Sequence, residues 1–208
     1  MKFDSIIFDL DGTLWDSTVE VAKTWSTIIA KYNSSRKEVT VEELKPCMGK
    51  LLDEIARILL PDLDEEMQVK IINECCKYEN EYLRDYGATL YDKLEETLEK
   101  LAKEYKLFIV SNCQDGYIES FFNSHGLDKY FIDYECPGRT GLPKAENIKL
   151  VVERNNLKNP VYVGDTQGDA DAAKAANVPF IYAKYGFGDV EEFEDKIESF
   201  EELLNIIK

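Results

Sequence analysis

Ser5-Ile6-Ile7-Phe8-Asp9-Leu10-Asp11-Gly12-Thr13 sets an apolar, β-branched run against two acids and a glycine. Residues 5–10 read as a strand buried on both faces. Asp9 and Asp11 stand two apart at its end, so an extended backbone points both carboxylates the same way before Gly12 and Thr13 turn the chain. Two carboxylates held together at the end of a buried strand are costly unless a cation sits between them. Taken alone, Asp11-Gly12 is equally well an ordinary turn after a strand.

Outward from this stretch, short apolar runs recur at residues 107–110, 130–134, 160–163 and 179–183. Between them apolar residues fall at helical spacing: Leu94, Leu98 and Leu101, then Ile118, Phe121 and Phe122, then Ile148, Val151 and Val152. This alternation predicts an α/β fold with a doubly wound parallel sheet covered on both faces. Residues 15–87 break the pattern, with no convincing strand and several amphipathic helices. Ser17 with Glu20 and Thr40 with Glu43 fit capping boxes, and Gly87 fits a helix stop. The expected organisation is a core of residues 1–14 and 88–208 with a helical cap inserted at 15–87, closed by an amphipathic helix over residues 200–207.

The 208 residues suffice for a sizeable domain plus a smaller inserted one. A net charge of −16 repels nucleic acid and anionic membrane surfaces, so neither is an expected partner. A phosphorylated metabolite stays compatible if a divalent cation and a lysine reverse the field locally. Cys47, Cys75, Cys76, Cys113 and Cys136 show neither paired metal-ligand spacing nor the density of a disulfide scaffold, and read as reduced thiols. With no signal-peptide pattern and no run approaching ~18 apolar residues, the expected setting is cytoplasmic, as a monomer or weak homodimer.

Three further groups lie at strand ends. Ser111-Asn112 follows the second strand, ahead of a helix expected near Gln114 or Asp115, where a hydroxyl and free amides can receive an anion. Lys144 precedes a helical pattern after the third strand. Gly164-Asp165 and Asp169 leave the fourth, with an alanine-rich helix following and Asn177 as its stop. Singly these are ordinary: Ser-Asn and Asp cap helices, and most lysines are solvated. Jointly, in a doubly wound sheet, they converge on the crevice at the carboxyl ends of the strands, where such sheets bind ligands.

In these residues the chain resembles the haloacid dehalogenase superfamily, and within it the phosphoglycolate-phosphatase-like members with a helical cap. The first motif matches Asp9-Leu10-Asp11-Gly12-Thr13, the second Ser111-Asn112, the third Lys144 and the fourth Gly164-Asp165 with Asp169. One departure is local: relatives commonly place proline after the motif lysine, whereas here Pro143 precedes Lys144 and Ala145 follows.

The resemblance implies a Rossmann-like core with the first strand central and a magnesium-dependent phosphatase acting through an aspartyl phosphate on Asp9. Asp11 is then acid and base, and its presence speaks against dehalogenation. Lys144, Ser111 and Asn112 bind phosphate. Magnesium takes the Asp9 and Asp165 carboxylates and the Asp11 carbonyl, while Asp169 orients Lys144 or a metal-bound water. Trp15, Gly49 and Lys50 are candidates for the substrate pocket. His125 before Gly126 reads as helix-terminal, and Cys113 has no assigned step. A phosphosugar mutase on the same scaffold and a non-catalytic metabolite-binding protein are the rival readings.

Overall fold

Four residues with no exposed side chain, Ser5, Ile6, Ile7 and Phe8, form strand β1 (Ser5–Phe8), and their alternation distributes the core. Ile6 and Phe8 face one apolar layer and Ile7 faces another, so the strand must lie between two sets of helices. The structure is a computed structural model and describes residues 3–32, 36 and 38–207. The expected domain limits at residues 1 and 208, and positions 33–35 and 37 of the insertion, lie outside the described residues.

After β1 come β2 (Trp15–Asp16), α1 (Thr18–Ile29), α2 (Val41–Leu44), α3 (Leu52–Leu59), α4 (Glu65–Tyr86) and β3 (Thr89–Leu90). The chain continues through α5 (Leu94–Leu101), β4 (Lys106–Val110), α6 (Tyr117–His125), β5 (Phe131–Glu135), α7 (Pro137–Thr140) and α8 (Lys144–Arg154). It ends with β6 (Pro160–Gly164), α9 (Gln167–Ala175), β7 (Phe180–Ala183), β8 (Asp195–Ile197) and α10 (Leu203–Ile206). Six strands pair in parallel in the order β5-β4-β1-β6-β7-β8, which puts β1 inside the sheet as the resemblance implied. The order reverses between β1 and β6, and that switch point is where a doubly wound sheet opens its ligand crevice.

The five expected strands are present within a residue or two, and β8 is added at the edge. Residues 15–87 contain one strand that the sequence pattern had not shown: β2 pairs antiparallel with β3, Trp15 opposite Leu90 and Asp16 opposite Thr89. The helical insertion therefore enters and leaves the core through one two-stranded ribbon. It carries its own apolar cluster, in which Val21, Trp25 and Ile29 of α1 meet Ile55 and Leu59 of α3 and Ile71 and Cys75 of α4. α4 stops at Gly87, whose φ of 69° ends the helix as its position suggested.

The two expected capping boxes part ways. Thr40 and Glu43 form theirs reciprocally. Ser17 makes no cap: Asp16 Oδ1 accepts the Thr18 N–H at 2.9 Å instead, freeing the Ser17 hydroxyl for another partner. All five cysteines are free and buried. Among the described residues no helix is long and apolar enough to cross a membrane.

Candidate active site

Asp9 follows β1 directly, and its N–H still bonds the Val163 carbonyl of β6 at 2.8 Å, so its side chain is aimed by the sheet itself. It is 1% exposed. The chain then doubles back, Leu10 O accepting from Leu14 N at 2.8 Å, through Gly12 at φ 80°. A Cβ at Gly12 would stand 2.1 Å from Asp165 Oδ2, so only glycine lets the first turn pass the fourth strand's acid.

Asp165 leaves β6 fully buried, its Oδ2 accepting the Phe187 N–H at 2.7 Å. Thr166 and Asp169 form a capping box at the start of α9, so the ordinary structural role is real. Asp169 nevertheless divides its oxygens: Oδ2 caps the helix and Oδ1 accepts from Lys144 Nζ at 2.5 Å. Lys144 also donates to Asp9 Oδ1 at 2.8 Å. Its unusual preceding proline is harmless, because Pro143 is the N-cap of α8 and its carbonyl accepts from Glu146 and Asn147, roles that need no N–H.

One lysine thus faces three buried acids, and carboxylate oxygens of Asp9, Asp165 and Asp169 all lie within 4.8 Å of one another. Burial, reinforced by the neighbouring Asp169 charge, pushes Asp9 up to about 7. Asp165 is raised well above the usual carboxylate range by burial and by Asp169 and Asp9. Burial would lower Lys144, but Asp169 and Asp9 outweigh it and hold the ammonium form. Carboxyls crowded beyond what one lysine can neutralise, with only oxygen donors, suit a hard divalent cation.

Asp11 is half-buried, and Ser17 donates to its Oδ1 at 2.6 Å while Tyr117 donates to the same oxygen at 2.9 Å. Here is the partner of the Ser17 hydroxyl. Burial raises Asp11 to about 6, offset in part by these two donors, so it can carry or surrender a proton near neutral pH. Neither Ser17 nor Tyr117 was legible as a site residue, since each looks like local helix chemistry until the Tyr117 hydroxyl at the start of α6 reaches Ser17 at the start of α1.

Ser111 lies at the end of β4, 3% exposed, with its N–H on the Glu135 carbonyl at 3.3 Å. α6 begins only at Tyr117, because Gly116 at φ 88° interrupts the approach, so Ser111 and Asn112 stand on a loop and not at the helix N-terminus expected near Gln114. Asn112 Nδ2 donates to the Gly49 carbonyl of the insertion at 2.9 Å, and its buried Oδ1 has no partner among the described residues. Asn80 of α4 bonds the Asp115 carbonyl at 2.8 Å and receives Gln114 Nε2 at 2.9 Å, fastening the insertion to the same loop.

Between insertion and core lies a chamber of ≈ 40 Å³, with Asp11, Asn112 and Tyr117 on the core side and Gly49, Lys50 and Glu79 on the other. Gly49 and Lys50, candidates for the substrate pocket, line this chamber. Trp15, the third candidate, does not line it: it is fully buried, edge-on to Tyr117 at 5.6 Å and Phe121 at 5.1 Å, because the β2 ribbon turns it into the core. The indole lining the chamber belongs to Trp25. His125 packs against Trp15 and ends α6, and Cys113 sits on the chamber wall with burial raising its thiol. A larger cleft of ≈ 580 Å³ between α9 and residues 192–194 lies away from these acids.

The parallel sheet, the acids at its switch point and the inserted helices together define a family. The chain belongs to the haloacid dehalogenase-like hydrolases, whose family model matches residues 6–183. It is 26% identical over 202 residues to a phosphoglycolate phosphatase of Aliivibrio fischeri, covering 91% of this chain and 88% of that one. It is 28% identical over 182 residues to the pyrophosphatase PpaX of Listeria innocua, covering 84% and 80% respectively. Its fold matches the crystal structure of a predicted phosphoglycolate phosphatase from Haemophilus somnus with a TM-score of 0.87 and 23% identity, over 100% of this chain and 99% of that one.

Proposed function

We propose that this protein is a magnesium-dependent phosphatase that hydrolyses a small phosphorylated metabolite through an aspartyl phosphate on Asp9. The observation that carries the reading is the buried Asp9 carboxylate held 2.8 Å from Lys144 at the switch point, with Asp11 beside it opening onto a chamber. Relatives named as phosphoglycolate phosphatase and pyrophosphatase support a phosphoester or phosphoanhydride substrate.

Lys144 and the Ser111-Asn112 loop receive the phosphate oxygens, and Lys144 holds Asp9 in its attacking orientation. The Asp9 carboxylate attacks phosphorus in line, the bond from phosphorus to the leaving oxygen breaks, and Asp11 gives that oxygen a proton. Asp11 then takes a proton from the water that attacks the aspartyl phosphate, releasing phosphate and restoring both acids. Ser17 and Tyr117 fix the Asp11 carboxyl for both steps. The Asp9 and Asp165 carboxylates and the Asp11 carbonyl would hold magnesium, which when bound supplies positive charge to the phosphoryl oxygens. Asp169, with both oxygens engaged, acts by orienting Lys144. Residues 15–87 serve as a cap domain that shields the chamber and selects the leaving group.

Phosphate release from a panel of phosphorylated metabolites, with and without magnesium, tests the assignment. Magnesium-dependent free phosphate, absent in Asp9→Asn, is the expected result. A rearranged phosphoester without free phosphate would transfer the reading to a mutase, and no turnover of any phosphorylated compound would remove it.

A further inference from the structure

β7 ends at Ala183, and the chain then turns back over the acids: the Gly186 N–H bonds the Ala183 carbonyl at 3.1 Å and the Phe187 N–H reaches Asp165 Oδ2 at 2.7 Å. A Cβ at Gly186 would stand 2.3 Å from the Asp165 Cβ and 2.5 Å from the Gly12 carbonyl oxygen. This loop therefore lies directly on the fourth strand's acid and on the first turn, and where it sits decides where Asp165 points.

One side chain that the catalytic steps do not use joins the loop to that turn. Tyr185 donates its hydroxyl to the Thr13 carbonyl at 2.8 Å. Its ring packs edge-on against Tyr91 at 4.6 Å, and Tyr91 is itself attached to the turn by its N–H on the Leu14 carbonyl at 3.3 Å. Thr13 is fully buried, and its hydroxyl donates to Asp165 Oδ1 at a long 3.4 Å. Asp165 thus receives a donor on each oxygen, Thr13 from the first turn and Phe187 from the loop, and the Tyr185 hydroxyl ties those two segments together. A carboxylate that ligates a cation is aimed by the groups behind it, and loosening those groups lowers metal affinity even though none of them touches the metal.

We propose that Tyr185 is a positioning residue for the metal site, clamping the first turn to the loop after β7 so that Thr13 and Phe187 hold Asp165 ready to ligate magnesium. The proposal rests on the phosphatase reading, in which Asp165 is a magnesium ligand.

Calorimetric titration of the metal-free full chain with magnesium tests it without recourse to turnover. Tyr185→Phe removes one oxygen, keeps the ring against Tyr91 and should weaken magnesium binding by about tenfold. Release of nitrophenol from p-nitrophenyl phosphate should fall at limiting magnesium and recover as magnesium is raised. Tyr105→Phe is the control. The Tyr105 hydroxyl donates to the Ile207 carbonyl at 3.0 Å, the same kind of bond, just ahead of β4 and so at the end of the sheet opposite the acids. Its loss should lower stability comparably and leave magnesium affinity where it is. Equal affinity in wild type and Tyr185→Phe, or an equal loss in Tyr105→Phe, overturns the proposal and leaves the phosphatase reading intact. A wild type that binds no magnesium overturns both. Should Tyr185→Phe not fold, Tyr91→Leu removes the ring that buttresses Tyr185 and should weaken binding in the same direction; unchanged affinity there overturns the proposal.

Discussion

Glu79→Gln should change how stability depends on pH, and the size of the change follows from burial. In the folded chain Glu79 is pushed from 4.5 to about 8, mainly by desolvation, with the Trp25 bond opposing and Asp11 reinforcing. A carboxyl with a raised folded pKa binds its proton more tightly folded than unfolded. Its contribution is therefore complete below the unfolded value, declines as pH rises, and is lost by the time pH passes the folded value. Each unit is worth about 1.4 kcal/mol, so wild type should lose about 3 kcal/mol by pH 7 and about 5 kcal/mol above pH 8 through this residue alone. Glutamine does not titrate and keeps the acceptor. The variant should match wild type near pH 4.5 and exceed it increasingly above, with a melting temperature about 10 °C higher at pH 9. Asp9 and Asp165 titrate in both proteins and cancel in the difference, whereas Asp11, coupled to Glu79, cancels only in part. Urea unfolding at pH 5, 7 and 9 measures it, and two parallel stability curves would refute the account of Glu79 as a buried, unneutralised acid.

Gly12→Ala should leave the chain folded but cut phosphate release by about a hundredfold or more, because the added methyl stands 2.1 Å from Asp165 Oδ2 and the positive φ costs about 1 kcal/mol besides. Near wild-type turnover in a well-folded Gly12→Ala protein would show that Asp165 need not occupy its present place. Excess chelator should abolish activity and magnesium restore it, while calcium, which prefers more ligands, should bind without supporting turnover; full activity in chelator contradicts the metal assignment. Asp11→Asn should give a burst of about one nitrophenol per enzyme and a phosphoryl adduct by intact mass, because nitrophenolate leaves without the acid but hydrolysis of the adduct lacks its base. An adduct on Asp9→Asn instead would exchange the two roles.

Much of the fold and the clustering of the candidate site were legible because they are local to strands and their ends. Ile6 to Phe8, Phe108 to Val110 and Val161 to Val163 are buried on both faces and so read as continuous apolar runs, with Asp9 and Ser111 directly after the first two and Asp165 one residue beyond the third. β8 was not legible: of Asp195, Lys196 and Ile197 only Ile197 is buried, and a charged three-residue edge strand has no periodicity to read. The β2–β3 ribbon fails for the same reason, with two residues on each side. Ser17 was misassigned because its spacing from Glu20 suits a cap, and only the arrival of Tyr117 shows where its hydroxyl goes. Glu79 and Trp25 are separated by 54 positions and meet through helix packing, which no local pattern encodes.

What fixes the acids is backbone, and this bears on how the site can respond to a cation. Cβ atoms built at Gly12, Gly164 and Gly186 would stand 2.1 to 2.7 Å from Asp165 or Asp169, so main chain closes on those carboxyls from several sides and leaves little room to relax apart. Acids that cannot separate can relieve their repulsion only by taking up protons or a cation, and Lys144 supplies a single charge. Protons and metal therefore compete for the same oxygens. The raised values of Asp9 and Asp165 mean that metal binding must displace protons near neutral pH, so metal affinity should fall as pH falls through about 7. A looser cage would escape this coupling by letting the carboxyls swing into solvent, at the cost of the alignment that in-line attack requires.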